Sequence, residues 1–408
     1  MNQCRHCEND SLHTLVDLGF APPSNAYLSK AQLCEAEIYL PLHVLVCDQC
    51  WLVQTQDFVT PDTFFSDDYA YFSSTSSSWL AHAKAFCEQM KARFGLTSDS
   101  LVIEIAANDG YLLKNFVAEG IPCLGIEPTA STASVAREQG IEIIGEFFTE
   151  ALANQLVQQS RLADLVVANN VFAHVPDING FSAAMAAVLK PEGVISLEFP
   201  HLLQLLQQVQ FDTIYHEHFS YLSLYSVNLI LSAVGLRIFD VEQLPTHGGS
   251  LRVFVCHQGA SFPESERVQT LLELEAQADM QTLKGYQGFQ SKVEAIKHEL
   301  LLFLLTQRRL GKTVVAYGAA AKGNTLLNFA GVKPDLLSQV YDAAPSKQGK
   351  FLPGSHIPIL APCDMPSKAP DYMLILPWNI ANEVICALDE LKQQGCQFVT
   401  AIPKITLI

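Results

Sequence analysis

The stretch Leu101-Val102-Ile103-Glu104-Ile105-Ala106-Ala107-Asn108-Asp109-Gly110 decides the fold of the central part of this chain. Its first half is apolar and predicts a buried strand, and its second half consists of small and turn-forming residues that lead into a helix. The sequence Gly125-Ile126-Glu127-Pro128 then ends a second strand in an acid. This order of strand, turn, helix and strand predicts an open α/β sheet that binds a ligand at the carboxyl ends of its strands.

The residues of the first turn favour a nucleoside that carries positive charge. A dinucleotide site needs the glycines of G-x-G-x-x-G so that a pyrophosphate can approach the helix N-terminus, and here the corresponding positions are Ala106, Asn108 and Asp109. Two carboxylates near the turn would repel a pyrophosphate but suit the ammonium and sulfonium groups of S-adenosylmethionine. Glu127 could accept hydrogen bonds from both ribose hydroxyls. A dinucleotide site and an ordinary α/β unit are the alternatives.

Length and charge limit the classes of protein and partner. The chain has 408 residues, so we expect two or three domains. Its formal net charge of −17 argues against nucleic acid or an anionic membrane surface as a partner, because both bind basic faces. An anionic small substrate would need a local cluster of basic side chains or backbone N–H groups. The sequence shows no secretory signal and no apolar run long enough to cross a bilayer, so we expect a cytoplasmic protein.

Two C-x-x-C pairs near the start of the chain, Cys4 with Cys7 and Cys47 with Cys50, predict a zinc site. Four thiolates around zinc form a closed tetrahedron that leaves no position for water, so the metal would hold a small domain together. Four buried free cysteines are the alternative, and His6 could replace one thiol.

Further along the chain, polar residues follow two more apolar runs. The run 164–168 predicts a buried strand that delivers Asn169, Asn170, Phe172 and His174 at its carboxyl end, and the run 194–201 repeats the pattern. Such residues should converge on one crevice. Before these strands, the segment 66–78 is rich in aromatic and hydroxyl side chains, which fits either a solvated linker or a flap over a ligand.

The last third of the chain repeats the arrangement of the first unit. After helical spacing across 263–309, a strand, a glycine turn and a helix occupy 313–329, and a strand ends in Asp342. The turn here has Lys322 where the first turn has acids. A positively charged helix start favours phosphate, so this half is a candidate site for a nucleoside diphosphate. A Rossmann-like lobe that only packs is the alternative.

Tyr215-His216-Glu217-His218 is the strongest candidate for catalysis, since four titratable side chains occupy four positions. A histidine is the usual proton acceptor near neutral pH, and an adjacent carboxylate can raise its basicity. A zinc site through His216 and His218 is less favoured, because H-E-H lacks the i, i+4 spacing of helical zinc proteases. Downstream, the glycines of Thr246-His247-Gly248-Gly249-Ser250-Leu251-Arg252 could let backbone N–H groups reach a ligand, or could simply form a hairpin turn.

Taken in order, these motifs resemble the three-domain S-adenosylmethionine-dependent C-methyltransferases that act on nucleotide-linked keto-deoxysugars. The resemblance covers essentially the whole chain and rests on the C-x-x-C pairs and the segments 69–79, 104–113, 169–175, 215–218, 246–250 and 317–324. It implies a zinc-holding N-terminal domain, a middle domain for the methyl donor and a C-terminal domain that anchors the nucleotide-sugar. Ala106 departs from the family, since many relatives have glycine there.

The resemblance also implies roles for individual residues. The last histidine of Y-H-E-H is the proposed base in the family and corresponds to His218, with Tyr215 and Glu217 assisting and His174 near the sugar. A ketone at carbon 4 makes the hydrogen on carbon 3 acidic, and donors such as Tyr215 or His216 would stabilise the enolate while His218 takes the proton. The carbanion would then attack the sulfonium methyl group in line, so the enzyme mainly has to position both partners and exclude water.

The resulting prediction is an α/β chain with a zinc-binding domain at 1–66, a Rossmann-like methyltransferase domain at 67–260 and a second Rossmann-like domain at 261–408. It would transfer a methyl group from S-adenosylmethionine to carbon 3 of a nucleotide-linked 4-keto-6-deoxysugar. The alternatives are O- or N-methylation of a related nucleotide sugar, an NAD-dependent sugar-nucleotide oxidoreductase or isomerase, and a zinc-bearing binding module without catalysis.

The predicted site residues fall into four groups. The catalytic group is His218, Tyr215, Glu217, His174 and His216. The cofactor-binding group is Glu104, Ala106, Asn108, Asp109, Gly110, Glu127, Asn169, Asn170 and Phe172. The substrate-binding group is Tyr69, Tyr71, Ser73, His247, Gly248, Gly249, Ser250, Arg252, Tyr317, Lys322 and Asn324. The metal-binding group is Cys4, Cys7, Cys47 and Cys50.

Overall fold

The computed structural model describes residues 3–56, 58, 74 and 77–408. The predicted substrate-binding residues Tyr69, Tyr71 and Ser73 therefore lie outside the described residues, as does most of the segment 66–78. Within the described part of the chain, none of the helices has both the length and the apolar character that crossing a membrane requires.

The N-terminal part forms an antiparallel sheet that a strand from the middle of the chain completes. Strands β1 (Leu12–Ala21), β2 (Leu40–Cys47) and β3 (Val53–Thr55) lie in sequence order, and β9 (Ser220–Tyr221) pairs with β3. The two C-x-x-C pairs lie at one end of this sheet, because Cys47 is the last residue of β2 and Cys50 lies just before β3.

The middle part is a seven-stranded sheet in the order β10-β11-β8-β7-β4-β5-β6. The strands β6, β5, β4, β7 and β8 are parallel, and β11 and β10 add antiparallel pairs at one side. The chain continues from β4 to β5 and β6 on one side, and then crosses to the other side of β4 to form β7. The strand order therefore reverses between β4 and β7, and open α/β sheets bind ligands at such a point. The strands are β4 (Val102–Ile105), β5 (Cys123–Ile126), β6 (Glu142–Ile144), β7 (Ala163–Asn169), β8 (Leu189–Pro200), β10 (Leu236–Leu244) and β11 (Ser250–His257).

Helices cover both faces of this sheet. Alternate residues of the buried strands enter different apolar clusters, so that Ile103 and Val166 pack on one face and Val102 and Leu165 on the other. Side chains cap two of the helices, since Thr149 accepts from the N–H of Leu152 and a Ser223 capping box starts another. The helices are α1 (Ser77–Phe94), α2 (Leu113–Ala118), α3 (Ala130–Glu138), α4 (Glu150–Gln158), α5 (Ile178–Val188), α6 (Leu202–Gln207) and α7 (Leu224–Ser232).

The C-terminal part is a six-stranded sheet in the order β14-β13-β12-β15-β16-β17, parallel except for its last pair. One apolar cluster runs from β1 and β2 through helix α9 into this lobe, so the N-terminal sheet packs on the C-terminal part. The elements are α8 (Glu266–Gln277), α9 (Phe289–Arg309), β12 (Val314–Tyr317), α10 (Ala321–Ala330), β13 (Val340–Tyr341), β14 (Ile359–Leu360), β15 (Tyr372–Ile375), α11 (Ala381–Ala387), α12 (Asp389–Gln393), β16 (Gln397–Thr400) and β17 (Thr406–Leu407). The predicted α/β class, with a cysteine-rich N-terminal region and a second lobe built on parallel strands, is confirmed.

Candidate active site

A cavity of about 910 Å³ lies at the carboxyl ends of β4, β5 and β7. All three parts of the chain line it. Asn25 comes from the N-terminal part, the middle part supplies most of the wall, and Ala320, Ala321, Lys322 and Lys347 come from the C-terminal part. The crevice predicted from the strand ends is therefore present, and it is closed from two sides by the neighbouring parts.

The Y-H-E-H segment forms a turn between a 3-10 helix, Phe211–Thr213, and β9. Tyr215, Glu217 and His218 line the cavity, and the rings of Tyr215 and His218 have centroids 4.0 Å apart. His216 does not line it. Its Nε2 lies 3.3 and 3.2 Å from the carbonyl oxygens of Leu40 and Pro41, so this histidine ties the turn to β2.

The His218 imidazole is held in one tautomer. Its Nδ1 lies 2.8 Å from the carbonyl oxygen of Thr213, which can only accept, so Nδ1 carries the hydrogen and Nε2 carries the lone pair. Burial lowers the pKa of His218 well below its usual value, and the nearby His174 adds to this effect. The ring is therefore neutral near pH 7 and able to accept a proton at Nε2.

The carboxyl end of β7 supplies a second group of polar side chains. Asn169, Asn170 and His174 line the cavity, and the rings of His174 and His218 are 4.6 Å apart. Burial lowers the pKa of His174 to about 4, so this ring is also neutral. The Oδ1 atoms of Asn169 and Asn170 are buried without a hydrogen-bond partner among the described residues, which points to a ligand that donates hydrogen bonds there. Phe172, by contrast, lies in the core beside Phe181.

Glu127, after β5, is the carboxylate that faces the cavity in the first α/β unit. Its two oxygens accept from the backbone N–H groups of Asn108 and Thr129, both at 2.9 Å, so the acid fixes the turn after β4. Ala106 and Asn108 line the cavity and adopt positive φ angles of 57° and 50°.

Three other predicted cofactor-binding residues lie beneath or behind this turn. Glu104 is 1% exposed and does not line the cavity, and burial, aided by Glu127 and Asp109, raises its pKa well above the usual value. Asp109 is also buried, and it accepts from the backbone N–H of Ser74 at 3.1 Å. Gly110 has a φ of +78°, which favours glycine, and a Cβ atom there would also lie 2.5 Å from Cδ1 of Ile141, so that side chain would have to shift.

The C-terminal lobe brings two lysines to the cavity. Nζ of Lys322 donates to Asn379 Oδ1 at 2.6 Å and lies 4.8 Å from the centroid of the Trp378 ring, and Nζ of Lys347 donates to the carbonyl oxygen of Ala319 at 2.9 Å. Burial lowers the pKa of Lys322, an effect that Asp212 opposes. Lys322 belongs to the predicted glycine-turn motif, whereas Lys347 lies in a loop without a local motif and was not predicted.

The other residues predicted from the C-terminal motif do not line this cavity. Asn324 donates to the backbone oxygen of Ser24 at 2.6 Å and so joins helix α10 to the N-terminal part. Tyr317, at the end of β12, packs against an apolar cluster of its own lobe. Both residues therefore contact other parts of the protein and do not face the cavity.

The residues that follow β10 line two different cavities. His247, with a φ of +55°, lines the main cavity, whereas Gly248, Gly249 and Ser250 line a separate hollow of about 370 Å³. Arg252 is buried and donates to Glu198 at 2.9 Å, so its charge is balanced inside the protein.

Several lining residues have no motif that sequence analysis detected. Phe147 and Phe148 follow β6 at the carboxyl edge of the sheet, and Phe147 is 41% exposed. Their position after a strand was the available signal, because every parallel strand of this sheet ends at the same edge. Trp79, the last residue of the segment 69–79 that carries part of the family resemblance, also lines the cavity and packs against His82, with ring centroids 4.9 Å apart.

The four predicted zinc ligands are brought together. The Sγ atoms of Cys4, Cys7, Cys47 and Cys50 all lie within 4.8 Å of one another, with Cys4 to Cys50 at 3.4 Å and Cys7 to Cys47 at 3.5 Å. Zinc with four thiolates at about 2.3 Å requires sulfur atoms roughly 3.8 Å apart, so the cluster fits this metal. His6 is not part of the cluster, since its Nδ1 lies 2.8 Å from Asn179 Oδ1.

Comparisons with known proteins agree with this arrangement. Three family models match the chain: "Putative zinc binding domain" at residues 4–65, "Methyltransferase domain" at 79–241 and "C-methyltransferase C-terminal domain" at 245–403. The C-methyltransferase NovU of Streptomyces niveus is 34% identical over 408 residues, which are 100% of this chain and 97% of NovU.

Solved methyltransferase structures also match. An S-adenosylmethionine-dependent methyltransferase from Clostridium acetobutylicum is 15% identical with a TM-score of 0.36, over 43% of this chain and 91% of that chain. Magnesium protoporphyrin IX methyltransferase from Synechocystis is 14% identical with a TM-score of 0.36, over 44% of this chain and 83% of that chain.

The full-length match to NovU settles the family. The predictions of a methyltransferase, of a zinc-binding domain and of a C-methyltransferase are confirmed at this level, and the predicted cofactors, S-adenosylmethionine and zinc, agree with it. The chain belongs to the C-methyltransferase family that includes NovU.

Proposed function

We propose that this C-methyltransferase transfers a methyl group from S-adenosylmethionine to carbon 3 of a nucleotide-linked 4-keto-6-deoxysugar. The observation on which the proposal rests is that one cavity contains an acid-tipped strand edge, a neutral imidazole with a free lone pair and two lysines. Its volume of about 910 Å³ is near the upper end of the range of roughly 300–1,000 Å³ for ligand pockets, which favours two ligands side by side.

We assign the methyl donor to the edge formed by β4, β5 and β7. Glu127 would accept from the ribose hydroxyls, and the unpaired Oδ1 atoms of Asn169 and Asn170 would accept from donor groups of the cofactor. When bound, S-adenosylmethionine supplies an electrophilic methyl group. The apolar wall at Ile126 and Phe147 would exclude water from the adenosine.

His218 is the proposed base. Its Nε2 would remove the hydrogen on carbon 3, which the neighbouring ketone makes acidic, and Nδ1 would keep its bond to Thr213. Of the two donors expected for the enolate oxygen, Tyr215 lines the cavity and His216 does not, so we assign this role to the Tyr215 hydroxyl. Burial of both His174 and His218 keeps the two rings neutral before the proton is transferred.

Lys322 and Lys347 are the proposed anchors for the diphosphate of the nucleotide-sugar. They bring two positive charges to the cavity of a chain whose formal net charge is −17. A diphosphate needs such local charge, because the protein as a whole repels anions. The lysines come from the C-terminal lobe, which gives this lobe the role of holding the acceptor.

Mass spectrometry of nucleotide-linked 4-ketosugars incubated with enzyme and S-adenosylmethionine tests the proposal. We expect one acceptor to gain one methylene unit. In deuterated water without the methyl donor, the same acceptor should exchange its hydrogen at carbon 3, whereas O- or N-methylation requires no such exchange. A panel that shows neither mass gain nor exchange would refute the assignment, and calorimetry with NAD tests the oxidoreductase alternative.

A further inference from the structure

The loop between β1 and β2 enters the cavity from the N-terminal part of the chain. Asn25 lies in this loop and lines the cavity. Its Nδ2 donates to both carboxyl oxygens of Glu217, to Oε1 at 2.8 Å and to Oε2 at 3.0 Å. Among the described residues, these are the hydrogen bonds that the Glu217 carboxyl group receives, so a residue from outside the middle domain sets the orientation of this acid.

The C-terminal lobe fixes the backbone of the loop that holds Asn25. The hydroxyl of Tyr27 donates to the carbonyl oxygen of Ala319 at 2.5 Å, and Asn324 donates to the backbone oxygen of Ser24 at 2.6 Å. Leu28 forms a bridge with Phe351. These contacts lie before and after Asn25 along the chain and hold its backbone. The position of the Asn25 amide therefore does not depend on where the Glu217 side chain lies.

The partner of Glu217 matters because this carboxyl group is 3% exposed. Burial raises the pKa of Glu217 to about 7, and the bonds from Asn25 act against that rise by favouring the charged form. A lysine or arginine in place of Asn25 would add a positive charge and hold the pKa far lower. The neutral amide therefore leaves an acid that is oriented but still titrates near pH 7.

The groups around Glu217 contribute little positive charge close to it. The ring of His174 bonds to the backbone oxygen of Glu217 and is neutral, as is the ring of His218. Tyr27 is the acidic neighbour, and its phenol is neutral because burial raises its pKa. Lys347 lines the same cavity.

We propose that Asn25 is a positioning residue for Glu217, through which the zinc-held N-terminal part contributes to the active site. Its amide orients the Glu217 carboxyl group in the cavity beside His218 and favours its charged form, which can accept a hydrogen bond from the acceptor. The zinc cluster supports this placement, since Cys50 leads into β3, β3 pairs with β9, and Thr55 Oγ1 donates to the His218 carbonyl oxygen at 3.0 Å. The catalytic use of Glu217 rests on the proposed function, but its control by Asn25 does not.

A titration that needs no acceptor tests the contact. Infrared difference spectra against pH would follow the carboxyl band of Glu217, which Glu217→Gln identifies by its loss. We expect Asn25→Ala to raise the pKa of Glu217 by about 1 unit, and Asn25→Asp, of nearly the same size, to raise it further, because two carboxylates then share one proton. Ser24→Ala is the matched control and should leave the pKa unchanged, since its hydroxyl contacts Thr325 at 3.5 Å.

Turnover with an acceptor identified by mass spectrometry completes the test. At pH 7 we expect kcat to fall about fivefold in Asn25→Ala and further in Asn25→Asp, and to recover at higher pH as Glu217 ionises, with KM for S-adenosylmethionine unchanged. An unchanged pKa of Glu217 in folded, zinc-loaded Asn25→Asp would overturn the proposal, as would a raised pKa without any change in the pH profile of kcat. Failure of the wild-type chain to methylate any acceptor would instead count against the proposed function.

Discussion

The middle and C-terminal lobes share one local arrangement, an acid that fixes a turn at a strand end, but differ in the charges placed around it. In the middle lobe, Glu127 after β5 accepts from the N–H of Asn108 in the preceding turn and from the N–H of Thr129. In the C-terminal lobe, Asp342 after β13 accepts from the N–H of Ala319 in the corresponding turn and from the N–H of Ala344, each at 2.7 Å. The similarity that the sequence suggests between the two units thus has a physical basis in an acid that fixes a turn.

The two acids differ in what else they meet. Glu127 lines the cavity, whereas Asp342 does not line it and has Lys347 Nζ at 3.7 Å. Glu127 is therefore accessible from the cavity, whereas Asp342 supports a turn and the neighbouring Lys347 lines the cavity instead. The same backbone arrangement thus occurs with different charges around it, and we expect those charges to decide which ligand each turn accepts.

The largest expected effect concerns His218, the proposed base, which lines the cavity. His218→Asn should lower turnover by about 10²–10⁴-fold, the usual contribution of a general base, while the affinity for S-adenosylmethionine stays the same. Methyl transfer followed by mass spectrometry and binding followed by calorimetry would measure the two quantities. His216→Asn is the matched control, because this ring faces β2, and an equal loss of turnover in a folded His216 variant would contradict the assignment.

The comparison of the two acids gives the next prediction. Glu127→Gln should weaken S-adenosylmethionine binding by roughly 10- to 150-fold, which corresponds to about 1.5–3 kcal/mol for hydrogen bonds to a charged group. Asp342→Asn should leave this affinity unchanged and lower only the thermal stability. Calorimetric titration of both variants would measure the difference, and equal weakening in the two would show that both acids act through the fold alone.

The lysines allow the complementary test in the C-terminal lobe. Lys322→Met should raise KM for the acceptor by about tenfold, since one charged hydrogen bond to phosphate is lost, and should leave S-adenosylmethionine binding unaffected. Lys392→Met, on the exposed surface of α12 in the same lobe, is the control. If Lys322→Met changed the affinity for the methyl donor instead, the assignment of ligands to lobes would have to be reversed.

The smallest effect is a dependence of turnover on pH. Because burial raises the pKa of Glu217 to about 7, the acid is mostly protonated at pH 6 and mostly ionised at pH 8. Turnover should therefore increase up to about tenfold over this interval, if the ionised form is the active one. We assign the rise to Glu217 and not to His218, because burial lowers the pKa of His218 well below its usual value. In Glu217→Gln, rate measurements should show a flat profile, and a persisting rise would assign the titration to another group.

Sequence predicted the strand ends well because their signals are local. Apolar runs followed by polar residues identified Asn169 and Asn170, and the paired spacing identified the four cysteines, which the structure brings within 4.8 Å. The Y-H-E-H segment was also singled out from its density of titratable groups alone, and Tyr215, Glu217 and His218 line the cavity.

What sequence could not predict depends on partners that are distant along the chain. Arg252 was predicted to bind a ligand, but it pairs with Glu198 inside the protein. Glu104 was predicted to bind the cofactor, but it is buried beneath the turn. Asn25 and Lys347 have no local motif at all. The boundary proposed at residues 66 and 67 is likewise crossed by hydrogen bonds, because β9 belongs to the N-terminal sheet.

The membership of β9 in the N-terminal sheet limits how relatives can exchange parts. Ser220 and Tyr221 pair with β3 two residues after the proposed base, so an N-terminal segment taken from another member of the family would have to match this register as well as the contacts of its own loop. Chimeras joined near residue 66 should therefore lose catalytic alignment even when each half folds. Selectivity for the acceptor and the binding of zinc would then have to be transferred together, in a segment that includes residues 215–221.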